Sequence, residues 1–507
     1  MRDILPALKI ERIPSQATIS RTTHLCRYIN LCQAVEFFEK SSVLGLCFDG
    51  TQKKKENITA VIFVNEVQES MAVHAGLSVY QDSEAIALDI QAGLDKLGIS
   101  AFKAGLLKDE VNSFSWTQRQ MSKIKTILTD SCPGAKKAAK DLKDILPDFF
   151  EFESNIALLD CSLHLIMNYE KQCYRSLCPE AFETLTLLSS LFSGQTQTRL
   201  AWCSKYPQLS NCFQRTVGVR FSQTSSNAMM LILHWDIIVE FLETHAVCDG
   251  QVFTLLGLLK GRQNLIFSEA LALSAIWYIL VEPAWNRLKV QNLSDAVRTC
   301  DELITISNAL VTSSNPADDL FSPSFNRFIR LDPDSSAVVS GKASELSAAF
   351  ESDLFTDIFF RRALQDMAQN GAKYVFNLSK TWDTETLSSL RSGLTLNNQR
   401  TESFFAVLDM ILKNHQAKTM ASRLEVAKSK FNGAYEFLLN KGYDYAVKVV
   451  AEAQKHRPAL ANFTSDVDSH AKSERLEKER YFQEQVNEIR IVSQNLLLPK
   501  TALTRKF

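Results

Sequence analysis

The stretch SSVLGLCFDGTQKKKENITAVIFVN, Ser41 to Asn65, decides the fold. VLGLCF is a continuous apolar run of strand length, KKKEN is a charged turn, and ITAVIFV is β-branched and apolar. Together they read as two buried strands joined by a hairpin. One acid, Asp49, stands near the end of the first run. Asp-Gly commonly opens turns. A carboxylate at the tip of a core strand is also a place where chemistry is held. The hairpin alone leaves both readings open.

Upstream, Leu25, Ile29, Leu31, Ala34, Phe37 and Phe38 recur at helical spacing from about Ser20, and IPSQ before them reads as a loop. Downstream, SMAVHAGLSVY (Ser70–Tyr80) is a third strand. SEAIALDIQAGLDKLG is a helix with Ser83 as its cap, Ile86, Ile90 and Leu94 as its stripe, and Gly98 as its stop. IKTILTDS (Ile124–Ser131) is a fourth strand, again ending in an acid, Asp130. PGAKKAAKDLKDIL is a helix entered through proline and glycine, and NIALLDCSLHLIMNYEKQC is a short strand running into a helix. The order β-β-β-α-β-α-β-α predicts an α/β mixed sheet with helices on both faces. That order is characteristic of the RNase H-like fold, in which the first and fourth strands are neighbours.

From about Cys178 to Asn398 strand signals vanish and apolar helical periods follow one another, without a repeat of fixed length. The loop TSSNPADDLFSPS (Thr312–Ser324) interrupts them. LALSAIWYILV (Leu271–Val281) is the most apolar run; it is shorter than the roughly 20 residues a bilayer span needs and reads as a buried helix. NNQRTESFFAVLDMILKNHQ then begins a helix after Asn397–Asn398, and helical patterning continues to about Leu498 before a basic tail. The expected partition is 1–40 N-terminal helix, 41–177 first part of the RNase H-like domain, 178–396 all-helical insertion, 397–440 final acidic helix, and 441–507 C-terminal helices and tail.

A net charge of −1 excludes the chain as a whole from being an electrostatic glove for nucleic acid or anionic membrane. Any DNA contact must use a local patch. Eleven scattered cysteines without a CxxC pair fit a reducing compartment. MRDILPALKIERIPS holds no apolar core of a secretory signal, and no phosphate-loop pattern supports nucleotide binding.

Asp49 and Asp130 end neighbouring strands in this layout. Two close carboxylates repel unless a cation lies between them, and oxygen ligands suit Mg²⁺ or Mn²⁺. Glu402, at the start of the helix whose stripe is Phe404, Phe405, Leu408, Ile411 and Leu412, is the candidate third acid. Each has an ordinary reading too: Asp130 as a helix entry, Glu402 as an acid favouring a helix dipole. Asp409, two turns on, is a supporting acid or a solvated one.

The chain resembles eukaryotic DDE transposases, with its closest likeness to the hAT-type group. The matching elements are LCFDGT at Asp49, ILTDS at Asp130, DCSLH at Cys161–His164, GVRFSQTSS at Gly218–Ser226 and RTESFFAVLD at Glu402, with a long helical block between the second and third acids. The resemblance covers roughly Ser41 to Asn440. It implies a nuclear, metal-dependent DNA strand-transfer enzyme with Asp49, Asp130 and Glu402 as catalytic metal ligands, DNA as partner and a homo-oligomeric state, without membrane or nucleotide. Arg220 and the lysines Lys53, Lys54 and Lys55 are candidate phosphate contacts; an exposed arginine and a solvated turn are the ordinary alternatives. Cys161 and His164 lack a second ligand pair at zinc spacing and read as packing residues at a strand–helix junction. Trp235, Trp277 and Trp285 read as core. The family's N-terminal zinc-binding domain has no counterpart here, and SCPGAKKA replaces its polar residues after the second acid. A catalytically inactive, transposase-derived interaction protein is the alternative, and an unrelated helical scaffold a third.

Overall fold

The computed structural model describes residues 16–53, 56–78, 83–107, 112–130, 132–153, 155–193, 196–214, 223–245, 250–289, 293–322, 341–342, 344–379, 394, 399–414 and 419–458. The chain divides into two compact units, Met1–Leu158 with Asn398–Phe507, and Leu159–Asn397.

The first unit opens with helix α1 (Gln16–Lys40) and strands β1 (Leu44–Lys53), β2 (Glu56–Asn65) and β3 (Ser70–Ser78). Helices α2 (Ser83–Lys103) and α3 (Ser113–Met121), strand β4 (Ile124–Thr129) and helix α4 (Pro133–Phe150) follow. Strand β5 (Ala157–Asp160) straddles the division. The five strands form one sheet in the order β3-β2-β1-β4-β5. β1 pairs antiparallel with β2 and parallel with β4, and β2 pairs antiparallel with β3. The sheet is therefore mixed, as the alternation of apolar runs predicts, with β1 beside β4.

Strand periodicity sorts the side chains onto two faces. Leu44, Leu46, Phe48, Val61 and Phe63 pack with α1, α2, α3 and α4 in one large core. The other face carries Ile58, Ala60, Ile62 and Ala72. After the second unit the chain returns in a helix from Gln399 to Asn414 that covers that face. Both faces are thus buried, which is why β2 reads as a continuous apolar run rather than an alternation.

Gly98 does not end its helix: α2 runs on to Lys103. The glycine is a close-approach residue instead. A Cβ there would lie 1.9 Å from Thr117 Oγ1 and 3.0 Å from the Ser113 carbonyl oxygen, both on α3. Absence of a side chain lets two helices touch. Gly98→Ala is expected to destabilise the protein by about 1–3 kcal/mol through overpacking, although alanine is the better helix former by roughly 1 kcal/mol. Adding Thr117→Ala removes the hydroxyl in the way and should recover part of the loss in denaturant titration. Strictly additive losses would show that the two side chains do not meet.

The second unit holds α5 (Ser162–Arg175), α6 (Pro179–Ser193), α7 (Gln197–Lys205), α8 (Gln223–Leu233), α9 (Trp235–His245) and α10 (Gly250–Gly261). It continues through α11 (Gln263–Ala275), a π-helical turn (Ile276–Val281), α12 (Glu282–Leu288), α13 (Leu293–Thr312), α14 (Pro316–Phe321) and α15 (Asp357–Ser379). No strand occurs among the described residues of this unit beyond β5. Pro283 explains the π-helical turn: it lacks an N–H and its ring crowds the carbonyl four residues back, so the ladder widens before it. The continuous helix Gln263–Leu288 is long and apolar enough to cross a membrane by length and composition, yet 83% of its apolar window is buried inside the protein. It is the central helix of the unit, as read for Leu271–Val281. Trp235 and Trp277 are core, at 6% and 2% exposure. Trp285 is half-buried, with Lys289 Nζ 3.3 Å above its ring.

The sequence reading places the first boundary after residue 177; the observed division falls nineteen residues earlier, after Leu158. The reason is α5. Its Tyr169 hydroxyl lies 2.8 Å from Ser307 Oγ on α13, and Cys173 Sγ donates to the Met367 carbonyl of α15. Gly371 on α15 leaves the space for Tyr169: a Cβ there would lie 2.5 Å from its ring. Those contacts commit α5 to the helical unit.

The return to the first unit is α16 (Gln399–Asn414), α17 (Met420–Phe431), α18 (Ala434–Lys441) and α19 (Tyr443–Lys455). Phe404, Phe405, Leu408, Ile411 and Leu412 of α16 pack on Ile58, Ala60 and Ile62, the stripe expected from the sequence.

Candidate functional site

The pairing of β1 with β4 ends at Cys47 beside Leu128. Two residues further along each of these parallel strands stand Asp49 and Asp130. Carried on past the last pair, and one residue past the end of β4 at Thr129, that register would set the two acids level, on strands about 4.8 Å apart. Face follows from pairing as well. Asp49 is opposite Ala60, whose side chain belongs to the core under α16. Cys47 and Leu128 are partners, and Asp49 and Asp130 each lie two residues on, so both acids fall on the α16 side of the sheet.

Both carboxylates are half-buried and engaged locally. Asp49 Oδ1 accepts from the Gly50 N–H at 2.7 Å. Asp130 Oδ1 accepts from the Cys132 N–H at 3.1 Å, in the Asx-turn manner that leads into α4. These are the turn and helix-entry roles foreseen as ordinary readings. They occupy one oxygen of each acid with a donor that also suits a charged carboxylate.

Glu402 lies in the first turn of α16, half-buried, one helical turn from Phe405 and two from Asp409. The helix packs on β1 and β2 and so belongs to the same face as the aspartates. Its third acid is not drawn into a cluster, however: among the described residues no three of His, Cys, Asp and Glu gather closely enough to hold a metal ion. Asp49 and Asp130 stand at the same end of neighbouring strands, and Glu402 lies on a helix that packs on β1 and β2.

Lys53 ends β1, opposite Glu56 across the hairpin, while Lys54, Lys55 and Arg220 lie outside the described residues. Cys161 is fully buried at the N-cap of α5 and His164 is half-buried in the first turn. His164 Nδ1 is buried without a hydrogen-bond partner among the described residues.

One positioning residue escaped the sequence reading. Asn432, in the turn between α17 and α18, clamps edge strand β3: its Oδ1 accepts from the Ala72 N–H at 2.8 Å and its Nδ2 donates to the Ala72 carbonyl at 3.1 Å. Its own carbonyl accepts from Gln33 Nε2 at 2.8 Å. The side-chain amide mimics a strand, so it caps an otherwise open edge and fixes the α16–α17 pair on the sheet. The signal was the Asn432-Gly433 dipeptide, a turn marker, with Gly433 at φ 62°.

Compared with known proteins, the chain matches no protein-family model and no curated protein.

Proposed function

We propose that this protein is a DDE transposase-like enzyme of RNase H-like fold, hydrolysing a DNA phosphodiester and joining the freed 3′-end to a target strand in the nucleus. The observation that supports the reading is the parallel pairing of β1 with β4 in a mixed sheet, whose register, carried on two residues, would level Asp49 with Asp130. The donor set fits the implied ion, since Mg²⁺ takes only one or two carboxylates and keeps several waters. When bound, such an ion activates a hydroxyl and neutralises developing charge. The chain's own part is to hold two hard oxygen donors at a spacing set by the backbone and to shield them under α16. Glu402 is the third acid of the triad. Lys53 to Lys55 and Arg220 are the proposed phosphate contacts, and a second copy of the chain the partner in assembly.

A second reading has its own support. The absence of a three-ligand cluster among the described residues and the turn-forming bonds of both aspartates suit a transposase-derived interaction protein that has lost catalysis. Calorimetric titration with Mn²⁺, paired with a nicking assay on duplex DNA, separates the two. Binding and nicking that both fail in Asp130→Asn support the enzyme. A wild-type protein that neither binds the ion nor nicks DNA is the inactive descendant.

A further inference from the structure

A cleft of about 850 Å³ lies wholly within the helical unit, between α9, the start of α11 and residues 344–354. It is separate from the aspartate pair and unused by the proposed chemistry. Its lining is of two kinds. Leu233, Ile237, Val239 and Leu354 supply apolar surface, with Leu233 38% exposed, over the nearly covered Trp235 and Phe267. Asp236, Glu240, Glu243, Glu345 and Asp353 supply carboxylates, against Lys260 as the lysine or arginine in the lining. Part of this charge is offset from outside or within: Lys260 pairs with Glu243, Lys205 with Glu240, and Lys342 with Glu345. Asp236 and Asp353 have no ion-pair partner among the described residues, and both are exposed where they line the cleft.

We infer that this cleft docks a basic, apolar peptide segment of a protein partner. Apolar and acidic side chains lining one cleft select alternating cationic and apolar side chains: the apolar groups bury, and the lysine or arginine heads stay near the carboxylates. The same charge repels nucleic acid phosphate, so the cleft is not a DNA-binding groove. The size suits several side chains of an extended peptide, since ligand clefts range over roughly 300–1,000 Å³. Charge complementarity is what commits the occupant.

The test uses the full chain and a fluorescein-labelled dodecapeptide of alternating Leu with Lys or Arg, followed by anisotropy. Binding is expected to weaken at least tenfold in Asp236→Lys/Asp353→Lys and to fall as salt rises. Exposed charge reversals leave the core intact, and a circular-dichroism melt checks this. Asp144→Lys/Asp148→Lys on α4, in the other unit, makes the same change of net charge and is expected to bind as wild type. A peptide with Gln in place of Lys and Arg should bind at least tenfold more weakly. Equal loss in both double variants, or equal binding of the Gln peptide, would overturn the proposal. So would preferential binding of a labelled single-stranded DNA that the cleft reversals leave unchanged. None of these outcomes depends on nicking activity.

Discussion

Asp130→Asn is expected to abolish Mg²⁺- or Mn²⁺-dependent nicking, lowering the rate by at least about a hundredfold, the scale seen when one group stabilising transition-state charge is removed. Asparagine keeps the side-chain oxygen that accepts from the Cys132 N–H, so the entry into α4 survives and loss of activity is not loss of fold. It removes the negative charge that a divalent ion needs. Asp49→Asn retains the acceptor for Gly50 in the same way and should match it. Because the two acids are level on adjacent strands, the double variant should be no worse than either single one, as groups acting as a unit are not additive. Glu402→Gln is the discriminating third arm: an equal loss places it in the same machinery, and unchanged nicking confines the site to the aspartate pair. If all three variants nick DNA at the wild-type rate, the acids have no catalytic part.

Glu425→Gln is expected to cost about 3–5 kcal/mol near neutral pH, the range for breaking a buried ion pair by removing one partner. Glu425 sits on α17 with its side chain 13% exposed and Lys428 Nζ 2.8 Å away. Asn30 Nδ2 on α1 donates to its carboxylate at 3.4 Å and to its backbone carbonyl at 3.3 Å. Arg27, 6% exposed on the same helix, faces it electrostatically. Burial pushes the Glu425 carboxyl up, but Lys428, Arg27 and the hydrogen bonds from Lys428 and Asn30 together hold it below its ordinary value. Burial pulls the Arg27 guanidinium down, and Glu425 offsets only part of that. The two shifts point opposite ways for stability, and the substitution removes the carboxylate that offsets part of the burial of Arg27.

The sign for pH follows from the depressed carboxyl. Its contribution is fully present above the unfolded glutamate value of about 4.3 and is lost as pH falls through the lower folded value. Denaturant midpoints of wild type and Glu425→Gln should therefore differ most at about pH 6–7, well above that value, and converge in acid. A gap that persists undiminished well below the glutamate range would remove the ionised carboxylate as its cause.

The strands were legible because each is a short apolar run bounded by turn residues. Ile58 to Val64 could hardly be anything else, and Asp49 and Asp130 stood out as charges ending such runs. Their adjacency needed only strand order. Glu402 was harder, because a helix start tells nothing of what lies across the sheet. Helix α3 was missed: SFSWTQRQM has little apolar periodicity, and its place is set by Trp116, Met121 and the gap at Gly98. Gly98 was misread for a related reason, since a glycine that ends a helix and one that admits a neighbour look alike in sequence. The allegiance of α5 was hidden because Tyr169 meets Ser307 across 138 residues. Asn432 meets Ala72 across 360.

That last distance sets an order of events during synthesis. Strand β3 leaves the ribosome with its outer backbone groups exposed, and the amide that will cover them is made 360 residues later. At about 5–20 residues per second the wait is roughly 20–70 s. Throughout it the border of the nascent sheet at Ala72 lacks the amide that covers it in the finished fold, an opening for strand pairing with any neighbouring chain.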